Sequence, residues 1–175
     1  MVELLEAYDA ILDFIQRGGN VLYGVMIVTF LMWMLIIERL WYLRLVFKKE
    51  FNRVLDAWEA RKERKSWHAH KIRIAMISEV SISLNTNIGM IKTLVALCPL
   101  IGLLGTVTGM IEVFDVMAMM GSGNARAMAA GVSKATIPTM AGMVAALSGV
   151  FMSAYIERRA KRAAERLEDS LTMDH

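Results

Sequence analysis

Three apolar blocks interrupt an otherwise charged chain, and their lengths predict its principal helices. The first, VLYGVMIVTFLMWMLII over residues 21–37, contains no charge. Extended to residues 20–42, it supplies the roughly 20 helical residues that cross a hydrocarbon core about 30 Å thick. Trp33 lies mid-block, while Trp41 and Tyr42 stand at its end beside Glu38 and Arg39, in the manner of an interfacial aromatic anchor. The second block, TLVALCPLIGLLGTVTGMI, covers residues 93–111, and the third, ATIPTMAGMVAALSGVFMSAYI, covers residues 135–156. Buried helices of soluble domains are shorter and more interrupted. The pattern therefore predicts an all-α integral membrane protein with three transmembrane helices.

The segments between the blocks have patterns of their own. In residues 2–17, Leu4, Tyr8, Ile11 and Ile15, with Leu5 and Leu12 alongside, repeat at helical spacing opposite an acidic face. Gly18, Gly19 and Asn20 end that pattern. Residues 1–19 are thus expected to form a short amphipathic helix on the membrane surface or on a partner. Glu3, Glu6 and Asp9 replace the basic start of a cleaved signal peptide, so the first span is expected to be retained as an anchor. Residues 43–92 mix charges of both signs at i, i+4 spacing, which suggests a solvated helical segment. From Lys71 to Gly89 no proline intervenes, and the helix is expected to run on into the second span. Residues 112–134 are expected to be a loop, and residues 157–175 a helix extending the third span.

Charge fixes a direction. Lys and Arg number one in residues 1–20, twelve in 38–92, two in 112–134 and five in 157–175. Basic segments stay in the cytoplasm, so the N-terminus and second loop are expected outside, the first loop and C-terminus inside. The 56% apolar composition exceeds the ordinary soluble range of roughly 45–50%. The balance of signs gives no basic arm for nucleic acid. The single cysteine, Cys98, sits within a span and excludes a disulfide framework; packing is its expected role. His68 and His70, two residues apart, would diverge on a helix, so no metal site or cofactor is expected. About fifty cytoplasmic residues are too few for a catalytic domain, and GLLGTVTG lacks the terminal GK[ST] of a nucleotide-binding loop. An enzyme is not expected.

Small residues mark particular helix faces. Gly102, Gly105, Thr106 and Gly109 form one stripe on the second span. Ala135, Thr139, Gly142, Ala146, Gly149 and Ser153 repeat at intervals of 4, 3, 4, 3 and 4 on the third. Lipid offers no hydrophobic drive between helices, so close backbone approach through small residues is how spans associate. Packing within or between subunits is the plain reading of Gly102, Gly105, Gly109, Ala135, Gly142, Ala146 and Gly149. Thr106 and Thr139 leave two readings open: a hydroxyl returned to the backbone, or a hydroxyl lining a water or proton path. Thr108 and Thr136 point elsewhere. Pro99 and Pro138 each delete a backbone hydrogen bond within a span and are candidate kinks. No span contains Asp or Glu, so a proton path here would need a carboxylate from another chain.

PLIGLLGTVTGMIEVF, then a short Gly-containing loop and GVSKATIPTMAGMVAALSG, closely resembles the MotA/TolQ/ExbB proton-channel family over about residues 84–165. The three-span plan is similar to ExbB and TolQ rather than MotA, and the wording of the third span is most like ExbB of a short, second-type TonB system. The resemblance implies a homopentameric helical bundle in the bacterial inner membrane, its N-terminal helix and second loop periplasmic. Its second and third spans would line a pore holding single spans of an ExbD-like partner, whose aspartate takes up and releases protons. Proton flow would then energise TonB for outer-membrane transport of iron-siderophore, haem or similar cargo. The family's pore threonines fall on Thr106 and Thr139.

One position departs from the family pattern. Some ExbB proteins carry Glu where this chain has Lys134. That lysine is expected to snorkel to the outer interface, or to pair with the ExbD-like partner. The rival functional readings are a TolQ-like subunit of the Tol-Pal envelope system and, from another class, a passive membrane scaffold.

Overall fold

Helices satisfy their own backbone polar groups, which lipid cannot do, and this chain is helical almost throughout. The computed structural model describes residues 2–61, 63–64, 66–120 and 125–171. Residues 121–124 of the expected loop, the last four residues of the expected C-terminal helix, and the side chains of Leu4 and Leu5 lie outside the described residues. In chain order there are α1 (Val2–Trp41), a π-helical turn (Tyr42–Val46), α2 (Phe47–Glu59), α3 (Trp67–Asn85), α4 (Ile88–Met120) and α5 (Ala125–Ser170). Three helical stretches, Gly18–Glu59, Trp67–Met119 and Ala125–Ser170, are long and apolar enough to cross a membrane. The all-α membrane architecture is therefore as the apolar blocks predict.

The boundaries differ in three places. The expected loop 112–134 is mostly helix, because α4 continues to Met120 and α5 begins at Ala125. Residues 112–120 contain neither Gly nor Pro, and Val113 is buried where a methyl group on Gly131 would lie 2.5 Å from its Cγ2. That contact gives the extended helices an inward face. The second difference is that α3 does not run into α4. Asn87 takes a left-handed conformation at φ 62°, which Asn tolerates better than most residues. Thirdly, α2 stops at Glu59 and α3 restarts after Ser66, whose hydroxyl accepts the Ala69 amide at 3.2 Å as an N-cap.

The bend within the first helix lies at Gly19, with φ 64° and ψ −169°. That region of backbone space is essentially open to glycine alone. By contrast, α4 and α5 continue through Pro99 and Pro138.

The chain divides into two compact units. The first comprises Met1–Trp33 with Thr93–Val150, and the second Met34–Lys92 with Phe151–His175. In the first unit Leu22, Val25 and Met32 of α1, Val95 and Cys98 of α4, and Ala135 and Ala146 of α5 are buried. Its outward face is also apolar: Phe30 and Val144 are 70% and 69% exposed. Such a surface suits a lipid solvent rather than water.

The second unit buries larger side chains, with Trp58 only 1% exposed and Leu84, Ile91, Ile156 and Leu167 fully covered. Polar contacts join its helices. Arg73 of α3 donates from Nε to the Leu171 carbonyl at 2.6 Å and from Nη2 to the Glu168 carbonyl at 2.8 Å. These acceptors stand at the end of α5, where the last carbonyls have no partner in their own helix. Arg39, 3% exposed, stacks over the Tyr42 ring at 4.9 Å and donates Nη1 to the Ser83 carbonyl at 3.3 Å. The Tyr42 hydroxyl donates to Glu50 Oε2 at 2.7 Å and meets the Ser83 hydroxyl. Lys92 pairs with Glu157 at 2.8 Å.

Candidate functional site

The glycines of α4 and the small residues of α5 come together within the first unit. A methyl group on Gly102 would lie 2.9 Å from both the Pro138 carbonyl oxygen and the Thr139 Cα. At Gly109 it would lie 2.5 Å from the Cα and Cβ of Ala135, and at Gly142 2.5 Å from the Cys98 carbonyl oxygen. Gly105 receives the Pro138 ring in the same way, at 2.6 Å. The two backbones are therefore close enough that even alanine would force them apart. Gly149 turns to other neighbours, with Met32 Sδ at 2.5 Å and Val95 Cγ2 at 2.6 Å from a methyl placed there. Ala146 is buried on the same stripe. Much of the small-residue pattern is thus occupied by contacts inside this chain.

The two candidate threonines have different partners. Thr139 donates its hydroxyl across to the Gly102 carbonyl of α4 at 2.8 Å. Thr106 donates to Leu103 of its own helix at 2.6 Å and is half-buried. Thr108 bonds the Leu104 and Gly105 carbonyls at 3.1 Å, and Thr136 bonds that of Ser133 at 3.2 Å. All four protons are donated to backbone carbonyls. What each oxygen still offers is a lone pair that accepts a proton or a water hydrogen.

Pro138 is buried against Gly105, so it also serves as a packing knob. Pro99 is half-buried one residue beyond the buried Cys98. Lys134 is engaged within its own chain: its ammonium lies 2.8 Å from both Glu112 oxygens. The sequence reading missed this pair because 22 residues separate its members, and only α4–α5 packing joins them. It named Arg39 and Tyr42 only as part of an interfacial anchor, and it did not single out Ser83 or Arg73. The one signal for Arg39 was a charge directly at the end of an apolar block. His68 and His70 are both exposed, and among the described residues no group of three or more His, Cys, Asp or Glu can hold a metal.

A profile described as the MotA/TolQ/ExbB proton channel family matches residues 42–169, well over half the chain. Over 61 residues the chain is 44% identical to a biopolymer transport protein of Synechocystis sp. described as ExbB-like 1. That match covers 33% of this chain and 24% of the relative, so it spans about a quarter of that protein's length. The paired glycine and small-residue faces of α4 and α5 fall within the span of the family match, and the chain belongs to the MotA/TolQ/ExbB proton channel family.

Proposed function

We propose that the chain is the channel-scaffold subunit of an inner-membrane transducer driven by the proton-motive force, assembling as a pentamer and powering TonB-dependent transport of iron-siderophore, haem or similar cargo. One observation carries the reading. Residues 93–111 and 135–156 contain no carboxylate, yet each bears a threonine whose oxygen retains acceptor capacity beside a glycine-lined helix contact. A proton path built on Thr106 and Thr139 needs an aspartate from a single-span, ExbD-like partner. The basic segments 38–92 and 157–175 support an orientation with the N-terminus periplasmic and the C-terminus cytoplasmic. In this reading residues 1–19 and 112–134 are periplasmic, and the small-residue stripes also serve subunit packing.

Co-purification in mild detergent followed by mass spectrometry tests the assignment. Recovery of a small single-span protein with one intramembrane Asp is the expected result; a complex containing this chain alone would point to a passive scaffold. The TolQ-like alternative, a subunit of the Tol-Pal envelope system, is separated by a deletion strain. Impaired division with normal growth on haem or siderophore iron would favour that alternative over the TonB reading.

A further inference from the structure

A polar cleft opens beside the bend of α1. It has a volume of about 290 Å³, and its walls are residues 18–21 of α1, Gly105, Thr108, Gly109 and Glu112 of α4, and Lys134 of α5. All of these belong to the first compact unit. Two independent features of the cleft call for water. At φ 64° and ψ −169°, Gly19 cannot sit inside a continuous α-helical hydrogen-bond ladder. Backbone groups turned out of the ladder need partners from protein or from water, and the bend lies in the cleft wall. The second feature is the Glu112–Lys134 ion pair, with side chains 50% and 40% exposed. Such a pair at the outer end of the spans keeps about half of its surface open to water, which costs far less than burying both charges.

The dimensions agree. Given about 30 Å³ per liquid water, the cleft has room for on the order of ten molecules. From Glu112 to Gly105 is seven residues, so the cleft reaches about 10 Å along α4 at 1.5 Å per residue. Gly105 stands one turn from Gly102, whose carbonyl accepts the Thr139 hydroxyl. The Lys134 stem crosses Gly19, where a methyl group would lie 2.7 Å from its Cε. Glycine is therefore required there twice over, for its conformation and for the passage of the lysine.

We propose that this cleft is an aqueous vestibule into the three-helix unit, and that Glu112 is the chain's own proton-accepting group within it. The first part stands on geometry alone; the second rests on the proton-conducting function proposed above. A hydronium ion in the vestibule gives its proton to the Glu112 carboxylate, leaving water and a neutral carboxyl, and the reverse step returns it. Lys134, whose ammonium lies 2.8 Å from both carboxylate oxygens, holds the carboxylate toward the cleft. Among the described residues, no other charged group lines the cleft; Asp115, three residues further along α4, is exposed.

Thiol labelling of the full complex in native membranes, with a cationic, membrane-impermeant methanethiosulfonate, tests the vestibule. The parent, whose Cys98 is buried, sets the baseline. Thr108→Cys should label about a hundredfold faster than Val107→Cys, its neighbour on the apolar face, because hydrocarbon excludes a cationic reagent by that order. Equal rates would mean a dry cleft and overturn the proposal. Val21→Cys on the α1 wall carries the same test if Thr108→Cys fails to assemble.

Proton uptake by the reconstituted complex tests Glu112. Glu112→Gln should lower it by about a hundredfold, the scale of a lost proton-transfer group, and Glu112→Asp should recover part of the loss. The double variant Glu112→Gln, Lys134→Met leaves no unpaired charge and should remain equally impaired. Recovery of conduction in the double variant would show the pair to be structural and overturn the Glu112 assignment. A parent complex that conducts no protons would overturn the proposed function and its Glu112 step, while the labelling ratio would still decide the vestibule.

Discussion

The two compact units solve the same problem, holding helices together, by opposite means. In the first, backbones meet through Gly102, Gly105, Gly109 and Gly142, and the outward faces carry large apolar side chains. In the second, Trp58, Leu84, Ile91 and Leu167 are buried, and charged side chains reach across to backbone carbonyls. The difference follows from the solvent each sequence suits. Apolar side chains gain nothing by leaving lipid, so contact area and fit must supply the association. In water the transfer of large apolar groups supplies it, at about 25 cal/mol per Å².

If that contrast is right, the units should fail differently. Trp58→Ala should be the most damaging, costing roughly 3–5 kcal/mol, seen as a lower unfolding midpoint of the purified protein in detergent. Gly142→Val should cost about 1–3 kcal/mol or more, because its side chain meets the Cys98 carbonyl rather than a yielding side chain. A swap in the opposite sense sharpens the point: a change that enlarges a residue harms the first unit, and one that shrinks a residue harms the second. Thermal melting of both variants would break the comparison if Gly142→Val proved neutral.

Smaller effects separate the polar contacts. Arg73→Met deletes two charge-assisted bonds to the end of α5 and should cost about 1.5–3 kcal/mol. Faster amide hydrogen exchange at the C-terminal end of α5, with the spans unchanged, is the expected signature. Thr139→Val removes the interhelical bond to Gly102; such bonds average about 0.6 kcal/mol in membranes. Thr139→Ser should restore it, and equal melting of the Val and Ser variants would show that the hydroxyl adds nothing to packing. Lys92→Met breaks an ion pair whose two side chains are half-exposed and should change stability by less than about 1 kcal/mol. A larger loss would mean that this pair is shielded from water.

Much of the architecture was legible in the sequence because its signals are local. An uncharged run of about twenty residues predicts a span whatever its neighbours are, and Gly18, Gly19 and Asn20 already read as a break where the structure bends at Gly19. The break at Asn87 was not legible, since a residue that tolerates a left-handed conformation does not declare that it adopts one. Nor was the helical continuation through residues 112–120 and 125–134, which takes its inward face from Val113 against Gly131.

The threonines mark the boundary most clearly. Their place on small-residue faces is a property of periodicity, but two partners were open to each. Only the approach of α5 to α4 gave Thr139 the Gly102 carbonyl, while Thr106 returned to Leu103. Lys134 was equally ambiguous between the interface and a partner chain until α4 brought Glu112 to 2.8 Å. Composition and spacing by themselves determined an all-α membrane protein with three spans and two faces made for close approach, because hydrophobic length and helical period act over neighbouring residues. The tertiary structure alone decided which carbonyl each hydroxyl meets and which charge each ammonium answers, because those choices depend on helix register across tens of residues of chain.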